Sequence, residues 1–374
     1  MLGIIWVRFF IGVNLGTILD MRRSKRLFKF TLSRIIRYLV LVFISSTLLL
    51  DKLFGKPWKV KKPIFIVGHL RSGTTFLHRF MCDNCVDLKG MRLLDMLCPS
   101  ITAQKMLAPL IPLLNKISLD HVYNPKIHRT QLSLPETDDI AIHFRYGEGI
   151  LSWVYFNSWQ KYTSTEDLQN SVFQSANQEK FIHYLHLIHR NRIHESSQRM
   201  ISKSFFAIFN IETILKTFPE AKIVVLLRNP LQAVPSLMSL EKNVQTKLYD
   251  FDSQDENDKA RFFQNLYSMS IFYYQYLAKI ISDHQYRSNL TLVTYDDLKD
   301  NFKDTILRIM DHCDLESGRG VLQAIEAQMH QQASYTTEHK YQLADFDLNT
   351  EQLQKDFDFI YPWLESDAHI NSSY

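Results

Sequence analysis

Cysteine is scarce, with four in 374 residues. That is too few for a disulfide framework, so a reducing compartment is expected and the fold has to rest on its hydrophobic core. A chain of this length buries enough apolar surface for that. Eleven glycines and eleven prolines exclude a collagen-like or low-complexity chain, and no internal repeat occurs. Metal-ligand spacing is lacking too. Cys82-Asp-Asn-Cys85 stands alone, with Cys98 and Cys313 too distant to supply a second pair. His183, His186, His189 and His194 follow no His-Glu-x-x-His pattern. No metal is expected; buried thiols and a mixed helix face are.

Acidic residues are nearly absent from the N-terminal region. Residues 1–62 hold 13 Lys/Arg against Asp20 and Asp51, a charge of +11, so the net +4 of the chain leaves −7 for the remainder. A nucleic-acid binder spreads basic residues over its folded body. An excess confined to one terminal segment points to an anionic membrane surface and away from nucleic acid. Arg8 and Asn14 interrupt the apolar residues 1–19, residues 22–37 hold seven Lys/Arg, and the uncharged run 38–50 has 13 residues. A span needs about 20 apolar residues. Residues 1–56 are therefore expected to form a pair of amphipathic or hydrophobic helices on the cytoplasmic face of one leaflet, with the basic turn at the headgroups. A helix packed on the soluble body is the plainer alternative. A type II anchor in a secretory compartment is another, under which the sequons at Asn289 and Asn371 become glycosylation acceptors.

Residues 57–374 read as one domain. Pro63-Ile-Phe-Ile-Val-Gly68, 199–203, 222–228 and 290–294 are short β-rich runs without alternation, as strands buried on both faces are. Helices are expected over about 75–85, 165–195, 208–218, 230–243, 257–285 and 301–313. This alternation predicts an α/β fold, a parallel central sheet flanked by helices, with the strand C-termini sharing the ligand-binding edge. The acidic stretch 250–258 reads as a solvated loop, and the aromatic cluster 153–159 as core or as the wall of an acceptor pocket.

The first strand runs into Gly68-His-Leu-Arg-Ser-Gly-Thr-Thr75 and then a helix. Glycines permit the tight turn, and the helix N-terminus adds unsatisfied N–H groups, so the loop suits an anion. Gly68 and Gly73 have the spacing of a Walker loop, but Thr74 stands where the Walker lysine belongs. That lysine reaches the β- and γ-phosphates of a nucleoside triphosphate, so its absence argues against an ordinary kinase or ATPase. The cation has moved to Arg71.

With these residues the sequence resembles the sulfotransferases that use 3′-phosphoadenosine 5′-phosphosulfate (PAPS), in particular the family-3 branch with a Gly-His-Pro-Arg-Ser-Gly-Thr-Thr loop. The resemblance extends to 218–230, to Thr294-Tyr-Asp-Asp-Leu298 and to 334–346, over about residues 62–362. It implies that Gly68, Arg71, Ser72, Gly73, Thr74 and Thr75 hold the 5′-phosphosulfate, that Arg228 and Ser236 hold the 3′-phosphate, and that Tyr295 lies by the adenine. It implies transfer of a sulfuryl group to a hydroxyl or amine of a small-molecule, lipid or glycan acceptor. Arg71 is expected to neutralise charge on the moving group and leaving phosphate, as arginine acts by charge and hydrogen bonds only; Lys203 adds a second positive charge. Relatives keep a histidine two or four residues after the lysine that Lys203 resembles, whereas Phe205 and Ala207 stand here. The general base then falls to Glu136, in Leu134-Pro-Glu-Thr-Asp-Asp139, where partial burial would fit it to accept a proton. His69 is the reserve. Two rivals are a P-loop small-molecule kinase and a non-catalytic, membrane-attached nucleotide-binding protein.

Overall fold

The computed structural model describes residues 27–54, 60–110, 112, 131–192, 198–333 and 343–365. Five strands, β1 (Ile64–Gly68), β2 (Leu88–Lys89), β3 (Arg199–Lys203), β4 (Lys222–Leu227) and β5 (Leu290–Thr294), form one sheet in the order β2-β3-β1-β4-β5. Every neighbouring pair is parallel. The expected fold class is the observed one. The two-residue β2 has no sequence signature and was not expected.

Helices precede and join the strands. In chain order they are α1 (Leu27–Phe54), α2 (Thr74–Asn84), α3 (Leu93–Leu97), α4 (Ile101–Leu107), α5 (Asp139–Tyr146), α6 (Gly149–Phe156), α7 (Thr165–Ser175) and α8 (Gln178–Arg192). There follow α9 (Ile211–Thr217), α10 (Pro230–Tyr249), α11 (Glu256–Ser282), α12 (Tyr295–Asp300), α13 (Phe302–His312) and α14 (Arg319–Ala333). The single helix expected over 165–195 is two, because Asn177 between α7 and α8 takes a φ of 27°, which breaks a right-handed helix. The acidic stretch 250–258 is not all loop: Phe251 is buried, a short 3₁₀ turn covers Phe251–Ser253 and α11 begins at Glu256.

Alternation of side chains along buried strands explains the unbroken apolar runs. Phe65, Val67, Ile223, Val225 and Leu227 face one core with Leu266 and Met269 of α11. Ile64, Ile66, Val224 and Leu226 face the other, against Leu77 and Met81 of α2 and Ile306 of α13. Each such fully buried side chain contributes about 1.5–3 kcal/mol. From β1 the chain turns toward β2 and β3, and from β4 it turns toward β5, so the strand order reverses between the C-terminal ends of β1 and β4. That crevice is where an open parallel sheet binds ligands.

The N-terminal expectation falls partly outside the described residues. From Leu27 onward the basic stretch is helix rather than turn, and α1 is 28 residues long. Its Ile44 and Thr47 are buried, with Ile44 packed against Leu94, Cys98 and Ala103. Asp51 accepts hydrogen bonds from the backbone N–H of Ile101 and Thr102 at 2.8 and 2.9 Å, at the start of α4. Burial pushes the Asp51 carboxyl up, but bonds from Thr102, Ser100 and Ile101 outweigh it and hold the pKa below its ordinary value. The opposite side of α1 exposes Ile35, Leu39, Phe43, Leu49, Leu50 and Leu53. Among the described residues no helix is long and apolar enough to cross a membrane.

Candidate functional site

The loop after β1 is built for close backbone approach. A Cβ on Gly68 would stand 2.5 Å from the Leu226 carbonyl oxygen of β4, so a side chain there would pry the two central strands apart. Arg71 and Gly73 take left-handed φ values of 73° and 86°, which fold the loop into a concavity of the kind that binds anions. Gly73 is also the N-cap of α2 and offers no side-chain cap. The first-turn N–H groups, orphaned in any helix, sit by a cavity of about 800 Å³ lined by Gly73, Thr74, Thr75 and Phe76. Ser72 is buried beneath the loop.

The second grip meets the first. Arg228, one residue past β4, donates from Nη1 to the Arg71 carbonyl at 2.6 Å, and its guanidinium lies 4.0 Å from the Tyr295 ring centroid. Arg71 donates from Nε to the Ser236 hydroxyl on α10 at 3.0 Å. Tyr295, at the start of α12, also lies against Gly73. The structure therefore gathers Gly68, Arg71, Ser72, Gly73, Thr74, Thr75, Arg228, Ser236 and Tyr295 at one end of the sheet. Two guanidiniums and an uncapped helix face a common space, which Phe76 and Tyr295 also line.

Lys203, at the end of β3, is 1% exposed and donates from Nζ to the Thr75 hydroxyl at 2.7 Å. Burial pushes its pKa down, and the Glu136 carboxylate is the largest influence the other way. The cation missing at position 74 is thus supplied from the neighbouring strand. Glu136 is also 1% exposed; the Arg79 guanidinium of α2 lies 2.5 Å from its Oε1, the opposite charge that a buried carboxylate requires. Glu136, Arg79 and Lys203 all line the cavity.

A clamp holds Glu136 there. The Asp138 N–H donates to the Lys203 carbonyl at 2.8 Å, and the Asp138 carboxylate accepts from Ser202 and Tyr184. Asp139 accepts from the Phe205 N–H at 2.8 Å and the Ser204 hydroxyl at 3.0 Å. Burial pushes the Asp139 pKa up against these bonds. Two carboxylates thus fasten the segment bearing Glu136 to the strand bearing Lys203.

His69 is corrected. Its ring is 1% exposed, with Nδ1 donating to the Leu70 carbonyl at 2.8 Å and Nε2 3.0 Å from the Ser270 hydroxyl. Tyr273 and Tyr274 pack against it. Burial pushes its pKa down to about 3, and it does not line the cavity. It supports the loop from behind and is no base. The aromatic cluster divides: Trp153 is core, whereas Tyr155 reaches the cavity wall. None of the four cysteines, all among the described residues, forms a disulfide, and burial pushes the Cys85 thiol up to about 11. Asn289 donates to the carbonyls of Pro219 and Ala221, whereas Asn371 and most of 334–346 lie outside the described residues.

Sequence reasoning missed Arg79 and Glu241, both on the cavity wall. For Arg79 a signal existed: four residues after Thr75, it shares that residue's helix face. Glu241 had none.

The structure thus joins a parallel α/β sheet, a glycine loop, a buried lysine from the adjacent strand and a strand-end arginine at one sheet edge. The chain belongs to the sulfotransferase family, whose model matches residues 63–318. Among solved structures it is similar to the sulfotransferase STF1 from Mycobacterium tuberculosis, at 16% identity over 94% of this chain and 95% of that one, with a TM-score of 0.67. It is also similar to the sulfotransferase STF9 from Mycobacterium avium, at 16% identity over 82% of this chain and 77% of that one, with a TM-score of 0.60. At such identity the likeness is one of fold. No curated protein matches the chain.

Proposed function

We propose that this sulfotransferase takes its sulfuryl group from PAPS and delivers it to an acceptor hydroxyl. The observation that carries the reading is the joining of Arg71, Ser236, Arg228 and Tyr295 into one hydrogen-bonded and stacked cluster beside the phosphate loop. It suits a nucleotide with anionic groups at two ends and a base between aromatic faces. When bound, the donor supplies the sulfuryl group and a phosphate leaving group. Arg228 forks onto the 3′-phosphate. Arg71, Lys203 and the hydroxyl of Thr75 neutralise charge at the loop. Glu136 receives the acceptor's proton on its carboxylate while Arg79 and the Asp138–Asp139 clamp fix its position. A kinase is disfavoured because Thr74 stands where a Walker loop carries its lysine.

We also propose that residues 1–56 hold the enzyme on the anionic cytoplasmic face of a membrane, where a lipid-borne or amphiphilic acceptor is available. The support is the +11 charge of residues 1–62 and the exposed apolar side of α1.

Thermal unfolding with nucleotides tests the donor. The bisphosphate product 3′,5′-adenosine bisphosphate (PAP) at 100 times its dissociation constant should stabilise the protein by about 2.7 kcal/mol, and ATP with Mg²⁺ should not. Arg228→Ala should weaken PAP by about 1.5–3 kcal/mol. Glu136→Gln should keep the PAP response and lose sulfuryl transfer by about 10²–10⁴-fold. Equal stabilisation by ATP and PAP would defeat the assignment.

A further inference from the structure

Beyond Ser236, helix α10 carries two buried polar side chains that the transfer chemistry does not use. Glu241 lines the cavity and is 4% exposed, and its Oε2 has no hydrogen-bond partner. Gln245, one turn further along the same face, is 0% exposed, and neither its Oε1 nor its Nε2 has a partner. Three unpartnered polar atoms on adjacent turns are costly in a folded protein. A leucine at either position would remove the cost, and Glu241, the one of the two that lines the cavity, is placed to answer to something that enters it.

The surroundings state what enters. Arg71 is the charged group that acts on Glu241, and burial pushes the Glu241 carboxyl up to about 8. Burial thus favours the uncharged acid at Glu241, one helical turn from an uncharged amide. Each group both donates and accepts hydrogen bonds, and the partner that matches them is a hydroxyl. An ammonium group would meet the positive charge of Arg71. The cavity that Glu241 lines also has apolar lining, from Leu70, Ile140, Leu151, Tyr155, Phe205 and Leu240. Apart from Leu70 and Leu240, these are remote in sequence from the loop–Tyr295 cluster that suits the donor.

We propose that Glu241, backed by Gln245, is an acceptor-recognition subsite, and that the acceptor is a neutral amphiphile carrying a second hydroxyl besides the one that is sulfated. The apolar wall takes the body of such a molecule, and Glu241 takes the hydroxyl. The inference rests on the sulfotransfer reading above and deepens it.

The test uses octyl β-glucoside, 1-octanol and octylamine as acceptors, the glucoside below its micelle concentration, with PAP formation as the readout. Wild-type protein should use the glucoside with a higher kcat/KM than either of the others. Glu241→Leu should lower kcat/KM for the glucoside at least about tenfold and leave that for 1-octanol unchanged, whereas Glu241→Gln, still neutral and hydrogen-bonding, should keep the preference. Because a buried unpartnered group is removed, Glu241→Leu without ligand should melt at a higher temperature than wild type, with its response to PAP retained. A lower melting temperature would make Glu241 structural and overturn the subsite. Equal loss with 1-octanol would make it a proton-transfer group, which also overturns it. Failure of wild type to use the glucoside, or a preference for octylamine, would overturn the acceptor class. Failure of wild type to respond to PAP strikes the donor reading instead.

Discussion

Lys203 and His69 show how differently burial acts on two basic side chains near the phosphate loop. Lys203 keeps a carboxylate within electrostatic reach and a hydroxyl at its Nζ, so it can remain charged where charge is needed. His69 has aromatic rings around it and a single carbonyl to favour its proton. The sequence could not separate these cases, because both residues flank the phosphate loop in space and only packing distinguishes them. The histidine has a measurable consequence. Its folded pKa of about 3 lies below the unfolded value of about 6.5, so the unfolded chain takes up a proton that the folded one refuses. The stability is intact above pH 6.5 and is lost as pH falls toward the folded pKa, at about 1.4 kcal/mol per pH unit. His78, depressed to about 4 mainly by burial and then by Lys203, adds a similar loss. The melting temperature should therefore drop between pH 6.5 and 5, and His69→Phe should make that drop shallower. Identical slopes in the two proteins would mean that His69 is protonated in the fold.

Strands β1 and β4 were legible in the sequence because burial on both faces leaves an apolar run, and β3 and β5, interrupted by Ser202, Lys203, Thr291 and Thr294, as weaker β-rich runs. The two-residue β2 and the break between α7 and α8 were not, since the first is set by pairing with β3 and the second by one dihedral angle. The placing of the phosphate loop and Arg228 at one sheet edge was equally legible, because both follow strands directly. The cavity wall on α5, α6 and α10 was not, because these helices reach it from distant parts of the chain. Gly68 tests the element that joins these levels. Its absent Cβ lets β1 lie against the Leu226 carbonyl of β4, and that contact sets the distance between the loop and Arg228. Gly68→Ala should destabilise the protein by about 1–3 kcal/mol, the usual cost of overpacking, and reduce PAP affinity besides. Gly318→Ala, which meets nothing within 4 Å, is the control. Urea unfolding and PAP titration of both variants decide it, and an unperturbed Gly68→Ala would remove the spacing argument.

At the scale of the whole molecule, the charge partition and the placement of α1 have to be considered together. Removing residues 1–56 would strip the basic excess, but it would also remove Ile44 from a packed core and Asp51 from the start of α4. Next to these stands Leu132, which packs on the same cluster and lies four residues before Glu136. A truncation would therefore confuse membrane release with damage to the site. Substitution on the exposed side separates them. Leu39 is 59% exposed and Phe43 37%, so Leu39→Glu with Phe43→Glu leaves the packed side untouched. An in-plane helix is held by apolar burial together with about 1 kcal/mol per basic residue near an anionic leaflet. The double variant should lose flotation with phosphatidylserine-containing vesicles while its thermal response to PAP stays that of wild type. Wild-type flotation should also weaken as salt rises, because the Debye length falls from about 10 Å at 0.1 M to about 3 Å at 1 M. Flotation unchanged by the substitutions would show that α1 is not the attachment surface. Conversion of a wild-type dimer to a monomer by the same substitutions, read by light scattering without lipid, would assign that face to a second copy of the chain.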